Sequence, residues 1–348
     1  MVGDREVLVV GAGVSGLACA RALAVTGRPL AILERASGVG GRCATRRVEG
    51  QPVDLGPAFL HGRAPAFLAA LEVVPAARLA GWPSDIHGTG RPCQPEAFDP
   101  GERRVAFAEG LTAFPKWLAT GLEVRTGLDV TGLGIAGPRL RVLAADGASW
   151  EAGTVVLALA PEQALRMLDA ATGAGGLPVT APAVAATLRA LLTMTRSEPS
   201  LALAALYPPD APVPAWQVSY PEDSRILQVV SHDSSKRVSP SFRALVFQTH
   251  PRWSGEHLDD EGWPGRVLEE AGRVVGAWAA TPLHRHAHRW RFARTGRAGE
   301  MSAPLLFRLP GGARLGVCGD RFAPGGGVEA AWLSGKVLAR RILAEEDG

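Results

Sequence analysis

Residues 6–34 read EVLVVGAGVSGLACARALAVTGRPLAILE, and this stretch decides the fold. Val7 to Val10 is an unbroken apolar run, the kind of segment that a parallel strand covered on both faces requires. Gly11, Gly13 and Gly16 follow at G-x-G-x-x-G spacing, and Val14 to Thr26 has helical periodicity up to Gly27, which suits a helix end. A second apolar run, Leu30 to Leu33, stops at Glu34. Strand, glycine turn, helix and strand make a complete βαβ unit. In such a unit the first glycine makes the tight turn, the second admits a pyrophosphate and the third lets helix and strand pack closely. Glu34 stands eighteen residues after Gly16, where a carboxylate accepts hydrogen bonds from ribose hydroxyls and repels a 2′-phosphate. Glu34 and its neighbour Arg35 therefore join the three glycines as candidate cofactor-binding residues.

The sequel separates a flavin dinucleotide from a nicotinamide one. Gly40-Gly41-Arg42 begins six residues beyond Glu34, with Arg46 and Arg47 close behind. Amides of a glycine pair can approach a phosphate, and the planar guanidinium of Arg42 offers several donors to the same anion. Near the other end, Gly319-Asp320 follows an apolar run, and Gly325-Gly326-Gly327 leads into Val328-Glu329-Ala330 at the start of an amphipathic helix. Asp320 can accept from ribityl hydroxyls. The helix start, with Val328, Glu329 and Ala330, offers free N–H groups and the positive dipole end to the N1/O2 edge of a flavin. Three such elements in this order point to FAD as the cofactor.

Bulk properties agree with a globular chain. At 348 residues and 47% hydrophobic content it can fill about two cores. The net charge is +3, and the basic residues are nearly all Arg, spread among Asp and Glu rather than gathered into a stripe with aromatics. No nucleic-acid partner is expected from that pattern. No apolar run approaches the length of a membrane-spanning helix, so no membrane partner is expected either. Four scattered cysteines without a CxxC pair, and the lack of a charged, cleavable leader, fit a reducing cytoplasm. The oligomeric state is open.

Along the chain, Glu123–Thr126 and Leu140–Leu143 read as hairpin strands, and Thr154–Leu159 as a buried strand closed by Pro161. Arg225–Ser231 and Ala244–Thr249 read as amphipathic strands, and Arg314–Gly319 as a strand before the helix Val328–Leu343. These readings divide the chain into a discontinuous FAD-binding domain, residues 1–66, 108–171 and 309–348, and a substrate domain of mixed sheet, residues 67–107 and 172–308.

These motifs, together with Arg42-Cys43-Ala44-Thr45-Arg46-Arg47, Ser234-Ser235-Lys236, Pro251-Arg252-Trp253-Ser254, Ala287-His288-Arg289-Trp290 and residues 328–335, resemble those of bacterial renalase-like flavoproteins. The wider relatives are the flavin amine oxidases, whose flavin-lining segment Asp54-Leu55-Gly56-Pro57-Ala58-Phe59-Leu60-His61-Gly62 resembles. The resemblance implies an α/β fold with a glutathione-reductase-like (Rossmann) FAD-binding domain and a mixed-sheet substrate domain, as in p-hydroxybenzoate-hydroxylase-like flavoproteins. It also implies non-covalent FAD, with the backbone of Val130 at the adenine, a dihydronicotinamide isomer as small-molecule substrate, and dioxygen reduced to peroxide.

By the same resemblance Phe59, Asp233, Gln248 and Trp290 are the candidate catalytic residues, as pocket walls facing the flavin. Asp233 stands where the family has Asn, Gln248 where it has His and Phe59 where it has Tyr. That set puts a nicotinamide-like substrate in question, and Asp233 suits a cationic amine instead. Oxidation of an amine or a biosynthetic intermediate, and a catalytically silent flavin-binding protein, stay open as alternatives. Phe59 and Trp290 equally fit ordinary core aromatics. His284, His286 and His288 alternate on one strand face without an Asp, Glu or Cys partner nearby in sequence, and read as a polar face rather than a metal site. Cys43 and Cys318 read as packing residues. Without a Gly-x-Ser-x-Gly elbow hydrolysis has no support, and without a second nicotinamide-binding glycine motif a monooxygenase is disfavoured.

Overall fold

The computed structural model describes residues 5–170, 176–194 and 196–345. The chain divides into two compact units. The first comprises the described residues of Met1–Gly41, Pro115–Ser197 and Thr295–Gly348, and the second Arg42–Phe114 and Glu198–Arg294.

The first unit is built on an eight-stranded sheet. Arg5–Val10 lies at its centre, parallel to Leu30–Leu33 on one side and to Ser149–Leu157 on the other. Val124–Arg125 adds a parallel strand beyond Leu30–Leu33. The long strand Ser149–Leu157 changes neighbours along its length: its first half pairs antiparallel with Arg139–Ala144, its second half parallel with Arg314–Val317. The residues explain the layering. Val9 turns to the helix Val14–Ala24, where it meets Gly16, and Leu8 and Val10 turn to the opposite face, into a core completed by Leu168, Leu177, Leu188 and Leu192. The last helix, Gly327–Ala344, crosses Val14–Ala24 so closely that a Cβ on Gly335 would sit 2.1 Å from the Ser15 carbonyl oxygen.

The second unit carries a six-stranded sheet in the order His284–Thr295, Ser197–Tyr207, Arg243–Thr249, Leu227–His232, Val218–Ser219 and Ile86–His87. One face packs on the helix Trp263–Val274 through Phe247, Trp263 and Val267. On the other face Ala202, Ala204, Leu206, Ala244 and Val246 bury Val48, Val53 and Leu55 of the hairpin Thr45–Val48 and Gln51–Asp54. A three-stranded sheet, Leu60–Gly62, Arg103–Phe107 and Arg78–Ala80, completes it.

The strand readings need correction at one place. Val124–Arg125 does not form a hairpin with residues 140–143; the hairpin partner of Arg139–Ala144 is Val130–Ala136, with a bulge between Val130 and Gly132. The division of the chain also differs from the expected one. Residues 42–66 and 108–114 go with the second unit, because Val48, Val53 and Leu55 bury their apolar area on its sheet. Residues 176–194 go with the first, through Leu177, Leu188 and Leu192, and so does Leu305–Arg308, which pairs with Arg314–Val317. The expected boundary at 171/172 lies outside the described residues.

Candidate functional site

In the first unit the three glycines of the turn differ in what surrounds them. Gly11 has φ +105° and a Cβ there would lie 2.5 Å from the Ala158 carbonyl oxygen, so only glycine fits. At Gly16 a Cβ would lie 2.2 Å from the Gly11 carbonyl oxygen. Gly13 is the exception: its φ of −73° suits any residue, and a Cβ there would meet nothing within 4 Å. The open side of the turn is therefore at Gly13, the position through which a pyrophosphate reaches the helix N-terminus. Glu34 closes this turn from the end of its strand. One carboxylate oxygen accepts from the Ala12 N–H at 2.7 Å and the other from the Ala36 N–H at 2.8 Å. Each oxygen keeps a lone pair for a further donor. Arg35 beside it is exposed.

Gly40 and Gly41 pass along the same turn: the Gly40 N–H donates to the Ala12 carbonyl oxygen at 2.9 Å, and a Cβ on Gly41 would lie 3.4 Å from the Gly13 Cα. Arg42 begins the second unit, where its Nη1 donates to the Ala293 carbonyl oxygen at 3.2 Å. Gly127 and Leu128, just before Val130, donate to the Ala36 and Glu34 carbonyl oxygens at 3.1 and 2.9 Å, which sets the Val130 backbone beside the Glu34 strand end. At the C-terminal element the Gly319 N–H donates to Ser334 Oγ at 3.2 Å, and Asp320 opens a short 3-10 turn. Gly325, Gly326 and Gly327 have φ values of 90°, 62° and 71°. This left-handed run turns the chain into the helix, so Val328 and Glu329 lie half-buried in its first turn, next to buried Ala330. Burial pushes the Cys318 thiol up to about 12, with Ser15 opposing, so no thiolate forms beside this turn.

In the second unit the four candidate catalytic residues gather on the segment 54–59. Gln248 Nε2 donates to the carbonyl oxygens of Leu55 and Gly56, and Trp290 Nε1 donates to that of Leu55 at 2.9 Å. Phe59 is buried in an aromatic group, with ring centroids 6.2 Å from Trp82, 6.1 Å from Phe98 and 6.3 Å from His61.

Asp233 requires a correction. It is not a pocket wall but fully buried, and its oxygens are taken. Oδ2 accepts from Arg237 Nη2 at 2.7 Å, while Oδ1 meets Lys236 Nζ at 2.7 Å and accepts from the Asp54 N–H at 3.2 Å. Asp54 completes the square: Oδ2 accepts from Lys236 Nζ at 2.6 Å and Arg237 Nη2 at 2.9 Å, and Oδ1 from Thr45 Oγ1 at 2.6 Å. Burial alone would raise the Asp54 carboxyl; Lys236 and Arg237 outweigh it and hold the group well below the usual carboxylate range. Two anions and two cations neutralise one another, so no charge remains for an amine.

The histidines of the strand His284–Thr295 each have their own neighbours. His284 lies against the Phe242 ring, and His288 against that of Trp290 at 4.1 Å. Burial, with Arg46 and His286 adding to it, pushes His288 down to about 4.

The sequence reading missed His61 as a chemical group. Its Nδ1 lies 3.0 Å from Glu102 Oε2, and Glu102 Oε1 accepts from Arg63 Nε at 2.8 Å. A carboxylate only accepts, so Nδ1 carries the proton and Nε2 is left with its lone pair when the ring is neutral. That Nε2 is buried and has no hydrogen-bond partner among the described residues, although the side chain is only 10% exposed. The signal in the sequence was faint: His61 stood in the quoted segment, but nothing marked Glu102 as its partner.

Comparison with known proteins bears on the N-terminal segment and the fold. The model of the NAD(P)-binding Rossmann-like domain matches residues 9–72. A putrescine oxidase of Kocuria rosea is 38% identical over 69 residues, which are 20% of this chain and 14% of that protein. A zeta-carotene-forming phytoene desaturase of Myxococcus xanthus is 46% identical over 56 residues, 16% of this chain and 11% of that protein. These matches span a small part of the relatives' own length. The structure of a putrescine oxidase bound to putrescine superposes with a TM-score of 0.71 at 17% identity, over 99% of this chain and 100% of that one. The chain thus has an α/β fold with a Rossmann-like unit and mixed sheets, shared with flavin-dependent amine oxidases, and resembles them in sequence at its N-terminal segment. Among the described residues no helix is long and apolar enough to cross a membrane.

Proposed function

We propose that the chain is an FAD-dependent oxidase of small amines, with a glutathione-reductase-like FAD-binding unit and non-covalent cofactor. The residues fit that group: Gly13 opens the turn to a pyrophosphate, Glu34 has spare lone pairs for ribose hydroxyls, and the glycine run before Val328 presents a helix start. FAD bound there would supply a two-electron acceptor for a hydride from the carbon next to the amine, and its reoxidation by dioxygen would yield hydrogen peroxide. An ammonium cannot lose hydride readily, so the amine must first give up a proton. His61 Nε2 is the group suited to take it, with Glu102 holding the ring in the tautomer that exposes the lone pair and stabilising the imidazolium that forms. Phe59, Trp82 and Phe98 supply an apolar wall beside it. Gln248 and Trp290 fix the segment that carries Phe59 by holding its Leu55 carbonyl oxygen. The buried, unpartnered Nε2 of His61 is the observation that carries the amine reading over the dihydronicotinamide one, whose oxidation requires no such base.

The cofactor site has a direct test. Gly13→Val is expected to fold normally, because its backbone conformation and surroundings accept a side chain, yet to lose FAD affinity by about 100-fold or more. Flavin absorbance per protein after gel filtration, with a denaturation curve, checks both; a yellow Gly13→Val protein at wild-type cofactor content would remove the glycine turn from the site.

A further inference from the structure

His61 does not stand alone on its strand face. In the antiparallel pairing of Leu60–Gly62 with Arg103–Phe107 it lies directly opposite Arg104, so the two side chains share a face with Phe59. Arg104 sits over the Phe98 ring, 5.1 Å from its centroid, and donates only to main-chain oxygens, those of Pro83 at 3.3 Å and Ala97 at 3.1 Å. No carboxylate pairs with it among the described residues; Glu102, two positions earlier, is taken by Arg63 and His61. The Phe98 ring leads on to Tyr220, 6.1 Å away edge to face. Tyr220 is buried, and burial pushes its hydroxyl up, with Cys93 adding and both Arg294 and Arg104 opposing. The Arg104 guanidinium and the Tyr220 ring thus both lie against the one Phe98 ring. Arg294 bonds Cys93, and the Glu198 carboxylate bears on the same thiol.

We infer that Arg104 and Tyr220 take the carboxylate of the substrate, so that the amine oxidised belongs to an amino acid or an N-substituted amino acid with an apolar side chain. A guanidinium pairs with a carboxylate through parallel N–H donors, and a tyrosine hydroxyl adds a third. The aromatic rings then face the side chain and His61 the amine. A diamine would bring its second ammonium against a guanidinium of like sign. This inference rests on the amine-oxidising reading.

The test uses compounds that need no turnover. Calorimetric titration of the FAD-loaded protein with 3-phenylpropionate and with 3-phenylpropanol compares a carboxylate with a neutral isostere. The carboxylate is expected to bind at least about 30-fold more tightly, with Arg104→Gln removing most of that preference and Arg104→Lys keeping part of it. Equal binding of the two compounds, binding of neither, or a preference unchanged in Arg104→Gln overturns the inference. A carboxylate preference in a protein whose flavin no amine reduces would leave this site standing and sink the amine-oxidase reading; oxidation of amines without the preference would do the reverse.

Discussion

Lys236→Met is expected to destabilise the second unit by about 3–5 kcal/mol, enough to unfold a unit of ordinary marginal stability. Lys236 Nζ bridges Asp54 and Asp233 at 2.6 and 2.7 Å and also donates to the Ala58 carbonyl oxygen at 3.0 Å. Methionine has similar volume, so the loss measures two buried carboxylates left to share Arg237. The double variant Asp233→Asn with Lys236→Met restores charge balance and is expected to recover part of the loss, which a urea denaturation cycle would show. The acid limb follows from the same square. The Asp54 carboxyl in the fold lies below its unfolded value, so its contribution is fully present above about pH 4 and fades as pH falls below that, less steeply in Lys236→Met. If instead Asp233→Asn kept full stability and lost only substrate affinity, the carboxylate would be a ligand for the amine after all.

His61→Asn is expected to slow flavin reduction by an amine by about 10²–10⁴-fold at neutral pH. Raising the pH through the ammonium pKa of the substrate should recover much of it, because the base is then unnecessary. Glu102→Gln is expected to give a smaller loss in the same direction, since the ring keeps a hydrogen-bond partner at Nδ1 but loses the counter-charge. FAD content should stay at the wild-type value in both. Stopped-flow reduction across pH separates this role from a packing role, which would give a loss that does not depend on pH.

What the residues disclosed was local. Gly11, Gly13 and Gly16 could be assigned separate roles because the turn, helix and strand that need them are consecutive, and the strand Leu30–Leu33 ends on Glu34 as read. The hairpin was missed at Val130–Ala136 because Gly132 and Gly134 weaken a strand pattern, while the alternating run at 123–126 drew the assignment. Asp233 was misread for a different reason. Its partner Asp54 lies 179 positions away, and a buried ion square looks like separate surface charges until the chain folds. His61 and Glu102, 41 positions apart, were beyond reach in the same way, as was the cross-strand pairing of His61 with Arg104. The domain division failed where hairpin 45–54 chose the sheet that buried Val48 and Val53, a choice that periodicity does not encode.

The most direct measurement is anaerobic mixing of the FAD-loaded protein with a panel of amines and amino acids, following flavin absorbance, then admitting air and assaying peroxide. Rapid bleaching by an amine-bearing compound, reversed by air with one peroxide per turnover, is the expected result. Bleaching by dihydronicotinamide isomers while every amine leaves the flavin oxidised would contradict it.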